Sequence, residues 1–411
     1  MPEFLELLPP TEALNKFLAV LPVKIEAEKI AVAQALGRVT AVPVLAPHPL
    51  PEFNRSTVDG YAVRAANTHG ANESLPVYLA LKAEVPMGAS PNFSVDNLAC
   101  ALIHTGGMLP PGTDAVVMVE YTQSARPGEV EILHSVAVGE NVIEIGEDVS
   151  KGQEVIPRGT RLRAAEIGGL MALGKTEVLV ARRPRVGILS SGDEVIPPSE
   201  RPAPGQVRDV NTYTLSALVE NDGGVPVQYG IVSDNREAML SAMGKAKEEC
   251  DLVIVTAGSS ASTRDLTAEV MDAQGEPGVL VHGVNVRPGK PTILAIAGDR
   301  AFIGLPGNPV SALVIAGLFI IPTLRAMLGL PKEHIQPTVF AKLTINLSSK
   351  SGREDWIPVR LLTSAAGEYL AEPIFGKSNL IFTLAQADGL VCIPSDANGL
   401  GAKENVVVQL L

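Results

Sequence analysis

Between Arg185 and Leu328, short apolar runs alternate with segments of helical periodicity, and this alternation constrains the chain more than any other feature. VGILSS reads as a strand, Asn211 stands where a cap would open the helix TYTLSALVEN, and Gly223 and Gly224 stop it. VPVQYGIV is a second strand, Asp234 a second candidate cap, and LVIVTAG a buried third strand. A polar loop and another helix lead to VHGVNV, PTILAIA and AFIGLPG, then to a long apolar helix from Val310 to Ile321 that ends at Pro322. The pattern predicts a parallel sheet with helices on both faces, an architecture that binds ligands in loops at the carboxyl ends of its strands.

The flanks read differently. The first 180 residues carry scattered short strands and turn signals such as MLPPGTDA and ARPGEV, which indicate one or two β-rich modules. SKGQEVIPRGTRLRAAEIGGLMALG is expected to form an elongated segment that rejoins an N-terminal helix around Leu14 to Ala35. From about Pro331 onward, polar and apolar positions alternate (TVFAKLTINL, DWIPVRLL, ENVVVQLL), as in a small antiparallel barrel. A chain of 411 residues with 38 Gly and 32 Pro is too long for one core and too rich in turns for a helical bundle.

Acidic residues exceed basic ones by 45 to 33, a net charge of -12, which argues against a nucleic-acid surface. A site for an anion must then be made locally positive by a few well-placed residues. Cys100, Cys250 and Cys392 form no CxxC pair, so neither a zinc cluster nor a disulfide framework is indicated and a reducing cytoplasm is expected. No signal-peptide pattern is read at the start, and the run from Val310 to Ile321 is too short to span a bilayer, so no membrane partner is expected.

Four polar loops follow strands of the alternating region directly. They are Gly192-Asp193-Glu194, the segment from Gly258 to Asp265, Arg287-Pro288-Gly289-Lys290-Pro291, and Leu305 to Ser311. Carboxylates, hydroxyls, open backbone amides and two cations at one sheet edge suit a phosphate-bearing ligand with a divalent metal. The two prolines of RPGKP stiffen a turn that presents Arg287 and Lys290 to an anion, although a plain surface turn carries the same residues. PGNPVS aims backbone N–H groups and Ser311 from a helix start, where Pro and Asn are also ordinary. Glu194 and Asp265 offer oxygen ligands suited to Mg²⁺; Asp234 either joins them or simply caps its helix. In the N-terminal half, Asp59 of FNRSTVDGYAVR is either a ligand contact or a turn residue, and IHTGGMLPPGTDAVV adds Thr105. The six histidines are dispersed, and none is assigned to catalysis.

At these residues the chain resembles the molybdopterin molybdenumtransferase family, of the MoeA and gephyrin E-domain type. STVDGYAV, IHTGGMLPPGTDAVV, GEDVSKG, GTRL, SSGDEV, RPGKP, GLPGNPVSAL and ADGLVCIP occur in the family's order along almost the whole chain. The resemblance implies a multidomain α/β plus β fold in an elongated, L-shaped subunit. Residues 1–42 and 146–182 would form a discontinuous elongated dimerisation domain, 43–145 a β-rich insertion, 183–330 a three-layer α/β molybdopterin-binding domain, and 331–411 a C-terminal β-barrel. It implies a homodimer that takes adenylylated molybdopterin and molybdate, hydrolyses the adenylate with Mg²⁺ and leaves molybdenum on the dithiolene. By the same resemblance Asp234, Asp265 and Glu194 serve the hydrolysis, with Glu194 and Asp265 on the metal. Asp59 and Thr105 contribute from the partner subunit's insertion, while Ser260, Arg287, Lys290, Pro306, Pro309, Ser311, Arg353 and Ser378 hold the substrate and its oxyanion.

Three departures from the family pattern stand out: the loop AGSSAS, Gly283 in place of a common lysine, and NVIEIGED without the usual arginines. They leave open a tungstate-selective paralogue or a non-catalytic molybdopterin-binding or scaffold protein. Contact with the adenylyltransferase that makes the substrate, and with acceptor apo-enzymes, is left open as well.

Overall fold

In the computed structural model, residues 7–257, 261–332 and 336–411 are described. At its centre is a six-stranded sheet in the order Val225–Val232, Arg185–Ser191, Leu252–Ala257, Arg300–Pro306, Ile293–Ala297, Pro277–His282. Successive side chains of each strand point to opposite faces. Ile188 and Ile254 therefore join Phe17, Leu215, Val219 and Phe319 in one core layer, while Leu189, Val253 and Val255 pack with Met239, Met243, Val270 and Phe302 in the other. Burial on both faces explains why these strands read as unbroken apolar runs.

The first four strands are parallel, but Ile293–Ala297 is antiparallel to both neighbours, which corrects the expectation of a wholly parallel sheet. Only Gly298 and Asp299 separate it from Arg300–Pro306, a link far too short for a crossover helix and long enough only for a hairpin turn.

Both expected caps shift as well. Asn235, not Asp234, caps the helix Arg236–Glu249 by accepting the N–H of Ala238. Asn211 is the first residue of its helix, and the buried carboxylate of Asp209 accepts the N–H of Thr212 in its stead. Asn211 instead donates from Nδ2 to the Gly307 carbonyl, tying this helix to the PGNPVS turn.

The N-terminal helix spans Pro10–Val20 rather than extending to Ala35, and Ala13 and Phe17 pack into the core of the α/β layer. After it, Ala27–Ala31 pairs antiparallel with Glu177–Ala181, and Val44–Leu45 with Glu154–Ile156, so segments from either side of the insertion are joined. The insertion holds a mixed sheet ordered Ala115–Met118, Gly60–Val63, Ala99–Ile103, Val77–Glu84, Glu129–Ile132, Thr122–Arg126.

Pro322 does not end the long apolar helix, which continues from Pro309 to Met327. A π turn at Ala316–Ile320 ends two residues before Pro322, where the helix must accommodate a residue with no N–H to donate. Pro309–Met327 is the one helix among the described residues long and apolar enough to cross a bilayer; Ile315, Phe319, Ile320 and Leu324 on it are buried in the core.

The C-terminal strands Glu354–Thr363, Tyr369–Pro373, Thr338–Leu343, Asn405–Leu410 and Gly389–Ile393 close into a barrel through pairing of the last with the first. One seam, Lys342–Leu343 with Leu370–Ala371, is parallel; the other seams are antiparallel as expected. A short strand, Val286–Arg287, extends this sheet by pairing in parallel with Glu354–Asp355. The RPGKP loop is thus joined by backbone to the barrel.

Candidate functional site

The structure divides the expected site residues into three places. The first is the crest of the α/β sheet. Arg185–Ser191 ends at Gly192, whose φ of +146° suits glycine; a Cβ there would lie 2.9 Å from a carboxylate oxygen of Glu194, so glycine lets that carboxylate lie over the strand end. From the neighbouring strand end, Asp234 accepts a hydrogen bond from the Ser191 hydroxyl, and its backbone N–H donates to Asp193 at 3.2 Å. Released from capping, the Asp234 carboxylate therefore belongs to the same crest as Glu194.

Beneath it the Ser190 hydroxyl lies 3.0 Å from Asp209 Oδ1, 3.0 Å from Thr212 Oγ1 and 3.2 Å from Thr256 Oγ1, a buried network that rigidifies the crest. Asp265 is exposed on the helix Ala261–Asp272 that follows the adjacent strand, not on a loop as expected. Ser260 lies outside the described residues. Among the described residues no three His, Cys, Asp or Glu side chains form a ready-made metal cage.

The second place is a cavity of about 1210 Å³ between the α/β layer and the barrel. Arg287, Lys290, Ser311, Arg353 and Ser378 all line it, so five positions expected to bind the oxyanion do converge. The convergence depends on long-range bonds. Val310 N–H donates to the Ser378 carbonyl at 3.0 Å, and Asn308 Nδ2 to the Ser378 hydroxyl at 3.0 Å, which pins the barrel's KSNL turn to the helix start. Pro306 and Pro309 flank that turn without lining the cavity. Glu194, Asp234 and Asp265 do not line it either, so within one subunit the acidic crest and the cationic cavity are separate places.

Sequence reading missed Lys350 and Lys377, which line the same cavity, and Asp355, fully buried beneath Arg353. The signals were present but weak. Lys350 and Asp355 bracket Arg353, and Lys377 precedes Ser378, yet exposed lysines and a carboxylate in a strand are ordinary surface residues until the barrel closes.

Gly289 at the floor of RPGKP has φ +120°, and a Cβ there would lie 2.3 Å from Ile315 Cγ1 of the long helix. Gly289→Ala is therefore expected to destabilise the chain by about 2–4 kcal/mol through backbone strain and overpacking, read as a lower denaturant midpoint. An unchanged midpoint would show that the turn is not held against the helix.

The third place is the insertion sheet. The backbone N–H of Thr105 donates to Asp59 Oδ1 at 2.8 Å, with its hydroxyl at 3.3 Å and His104 Nδ1 at 3.7 Å. That N–H above all, with weaker help from the hydroxyl and His104, holds the Asp59 carboxyl below its ordinary range. His104 Nε2 in turn lies 3.1 Å from Glu84. A bond between residues so distant in sequence goes beyond a local Asp-Gly turn, and it makes Asp59 and Thr105 one unit. Neither lines the cavity between the α/β layer and the barrel.

Three family models match the chain: the MoeA N-terminal region (domain I and II) over residues 8–174, the "probable molybdopterin binding domain" over 187–326, and the MoeA C-terminal region (domain IV) over 341–411. The chain is 35% identical over 382 residues to a molybdopterin molybdenumtransferase of Nostoc sp., covering 92% of this chain and 87% of that protein. With one from Haemophilus influenzae it shares 29% identity, covering 97% of each. The crystal structure of a molybdopterin biosynthesis MoeA protein from Pyrococcus horikoshii superposes with a TM-score of 0.86 at 31% identity, covering 99% of this chain and 100% of that one.

Proposed function

Because this chain belongs to the MoeA family of molybdopterin molybdenumtransferases, we propose that it completes the molybdenum cofactor by placing molybdenum from molybdate on adenylylated molybdopterin, with release of AMP. The observation that carries this reading is the cavity that gathers Arg287, Lys290 and Arg353 with the hydroxyls of Ser311 and Ser378 in a protein of net charge -12. A tetrahedral dianion needs cations and hydroxyl donors at close quarters, and guanidinium groups supply both. At about 1210 Å³ the cavity exceeds the roughly 300–1,000 Å³ usual for small-molecule sites, which leaves room for an organic ligand beside the oxyanion.

Lys350 and Lys377 supply two cations from the barrel where Gly283 lacks the family's lysine, which favours retained anion binding over a loss-of-function paralogue.

Adenylate cleavage falls to the crest. Glu194, Asp234 and Asp265 are hard oxygen donors after three adjacent parallel strands, a set that fits Mg²⁺, an ion commonly held by one or two carboxylates and by substrate phosphates. A Mg²⁺ ion held by these carboxylates would supply charge neutralisation to the substrate phosphates. The Ser191 hydroxyl holds the Asp234 carboxylate and Asp193 accepts its backbone N–H at the strand ends, and the buried Asp209 network keeps that edge rigid. Asp59 and Thr105 are proposed to complete the site from the insertion of a second subunit in a homodimer, and a reducing cytoplasm suits the three free cysteines.

Mixing the purified chain with adenylylated molybdopterin, Mg²⁺ and molybdate tests the reading. AMP release coupled to molybdenum incorporation is expected. Ligand binding without AMP release would leave a binding or scaffold protein.

A further inference from the structure

The buried carboxylate of Asp355 lies where the α/β layer and the barrel share a strand pair. We propose that Asp355 is a positioning residue for oxyanion recognition, holding the guanidinium groups of Arg353 and Arg287 in the geometry that receives the anion. The inference rests on reading the cavity as an oxyanion site. Asp355 is 0% exposed and accepts from Arg353 Nε at 2.8 Å and from a terminal Arg353 nitrogen at 3.3 Å. Its second oxygen also lies 3.5 Å from a terminal nitrogen of Arg287. The backbone reinforces this: Arg287 is the register partner of Asp355, and Glu354 N–H donates to the Asn285 carbonyl at 3.0 Å. One carboxylate therefore fixes two cations that come from different layers of the molecule.

A buried negative charge beside an anion site is otherwise unfavourable, because it repels the ligand and loses its own hydration. Its presence makes sense if orienting the cations outweighs that repulsion. Arg353 spends Nε and part of one terminal nitrogen on Asp355, which leaves its remaining N–H groups in a fixed plane facing the cavity it lines. A guanidinium ordered in advance loses little freedom when the anion arrives.

The two possible roles of Asp355 predict opposite signs. If it were only a repulsive charge, Asp355→Asn would tighten molybdate binding. If it positions the arginines, the same change weakens binding by about 10-fold and reduces discrimination between molybdate and sulfate. Folding is expected to survive, because the side chains left without a partner, Arg353 at 32% and Arg287 at 63% exposure, can both reach water. Molybdate titration calorimetry with sulfate as competitor is carried out on the full chain and on Asp355→Asn, Arg353→Lys, Arg353→Ala and the Asp355→Asn/Arg353→Lys double variant.

Because part of the effect of Asp355 runs through Arg353, the two substitutions should be non-additive, the double variant binding more weakly than Arg353→Lys only by the share that Asp355 exerts through Arg287 and less weakly than the product of the two single losses. Unchanged or tighter binding by Asp355→Asn, or losses that simply multiply, would overturn the proposal. Should Arg353→Ala bind molybdate as well as the parent chain, the oxyanion reading of the cavity itself would fall. Weakening by Arg353→Ala but not by Asp355→Asn would refute the positioning role alone.

Discussion

Asp265→Asn is expected to slow AMP release from adenylylated molybdopterin by about 10²–10⁴-fold, the usual contribution of a positioned acid–base group. Asp265 is exposed, and the amide keeps the carboxylate's shape, so the unfolding midpoint should move by no more than about 2 °C. Titrating Mg²⁺ separates two roles for the carboxylate. A metal ligand would raise the Mg²⁺ concentration needed for half-maximal rate, whereas a group acting on the attacking water would lower kcat with little change in that concentration. AMP release at the parental rate would remove Asp265 from the reaction.

Arg353→Ala is expected to weaken molybdate binding by about 10- to 150-fold, equivalent to losing about 1.5–3 kcal/mol of charge-assisted hydrogen bonding. Binding of adenylylated molybdopterin should change far less, since its adenylate is proposed to lie at the crest rather than in the cavity. Alanine at this position also leaves Asp355 buried with, among the described residues, only the longer ion pair to Arg287, and breaking a buried pair from one side typically costs about 3–5 kcal/mol. Lys290→Ala is the informative control. Lys290 is exposed and lines the same cavity, so its loss should weaken molybdate binding without a comparable fall in stability. Equal losses for the two ligands in Arg353→Ala would defeat an oxyanion-specific role.

Much of the fold was legible because burial imposes period. Strands buried on both faces appear as LVIVTA and AFIG, and the barrel strands alternate as in ENVVVQLL. The errors fell where local patterns are degenerate. Asn235 and Asp234 are adjacent capping candidates; the Ser191 hydroxyl, from a strand distant in sequence, engages the Asp234 carboxylate, and Asn235 caps the helix. Pro322 ordinarily marks a helix end, but packing of Phe319 and Leu324 on either side of it favours a π turn over termination. The two-residue link at Gly298 was visible, and its consequence, an antiparallel strand, follows from turn length rather than from apolar content.

The amino-acid sequence by itself determined the element types, the residues at the strand ends and the family, because side-chain periodicity and ordered motifs are local properties of the chain. Only tertiary structure decided which loops meet. Barrel closure and the pairing of Val286–Arg287 with Glu354–Asp355 gather Arg287, Lys290, Arg353 and Ser378 at one cavity, and leave Glu194 and Asp234 at the sheet crest. Asp355 shows the reason most clearly. In sequence it is a carboxylate in a β-strand, and its role as the buried partner of two arginines exists only once segments far apart in the chain pack together and exclude water between them.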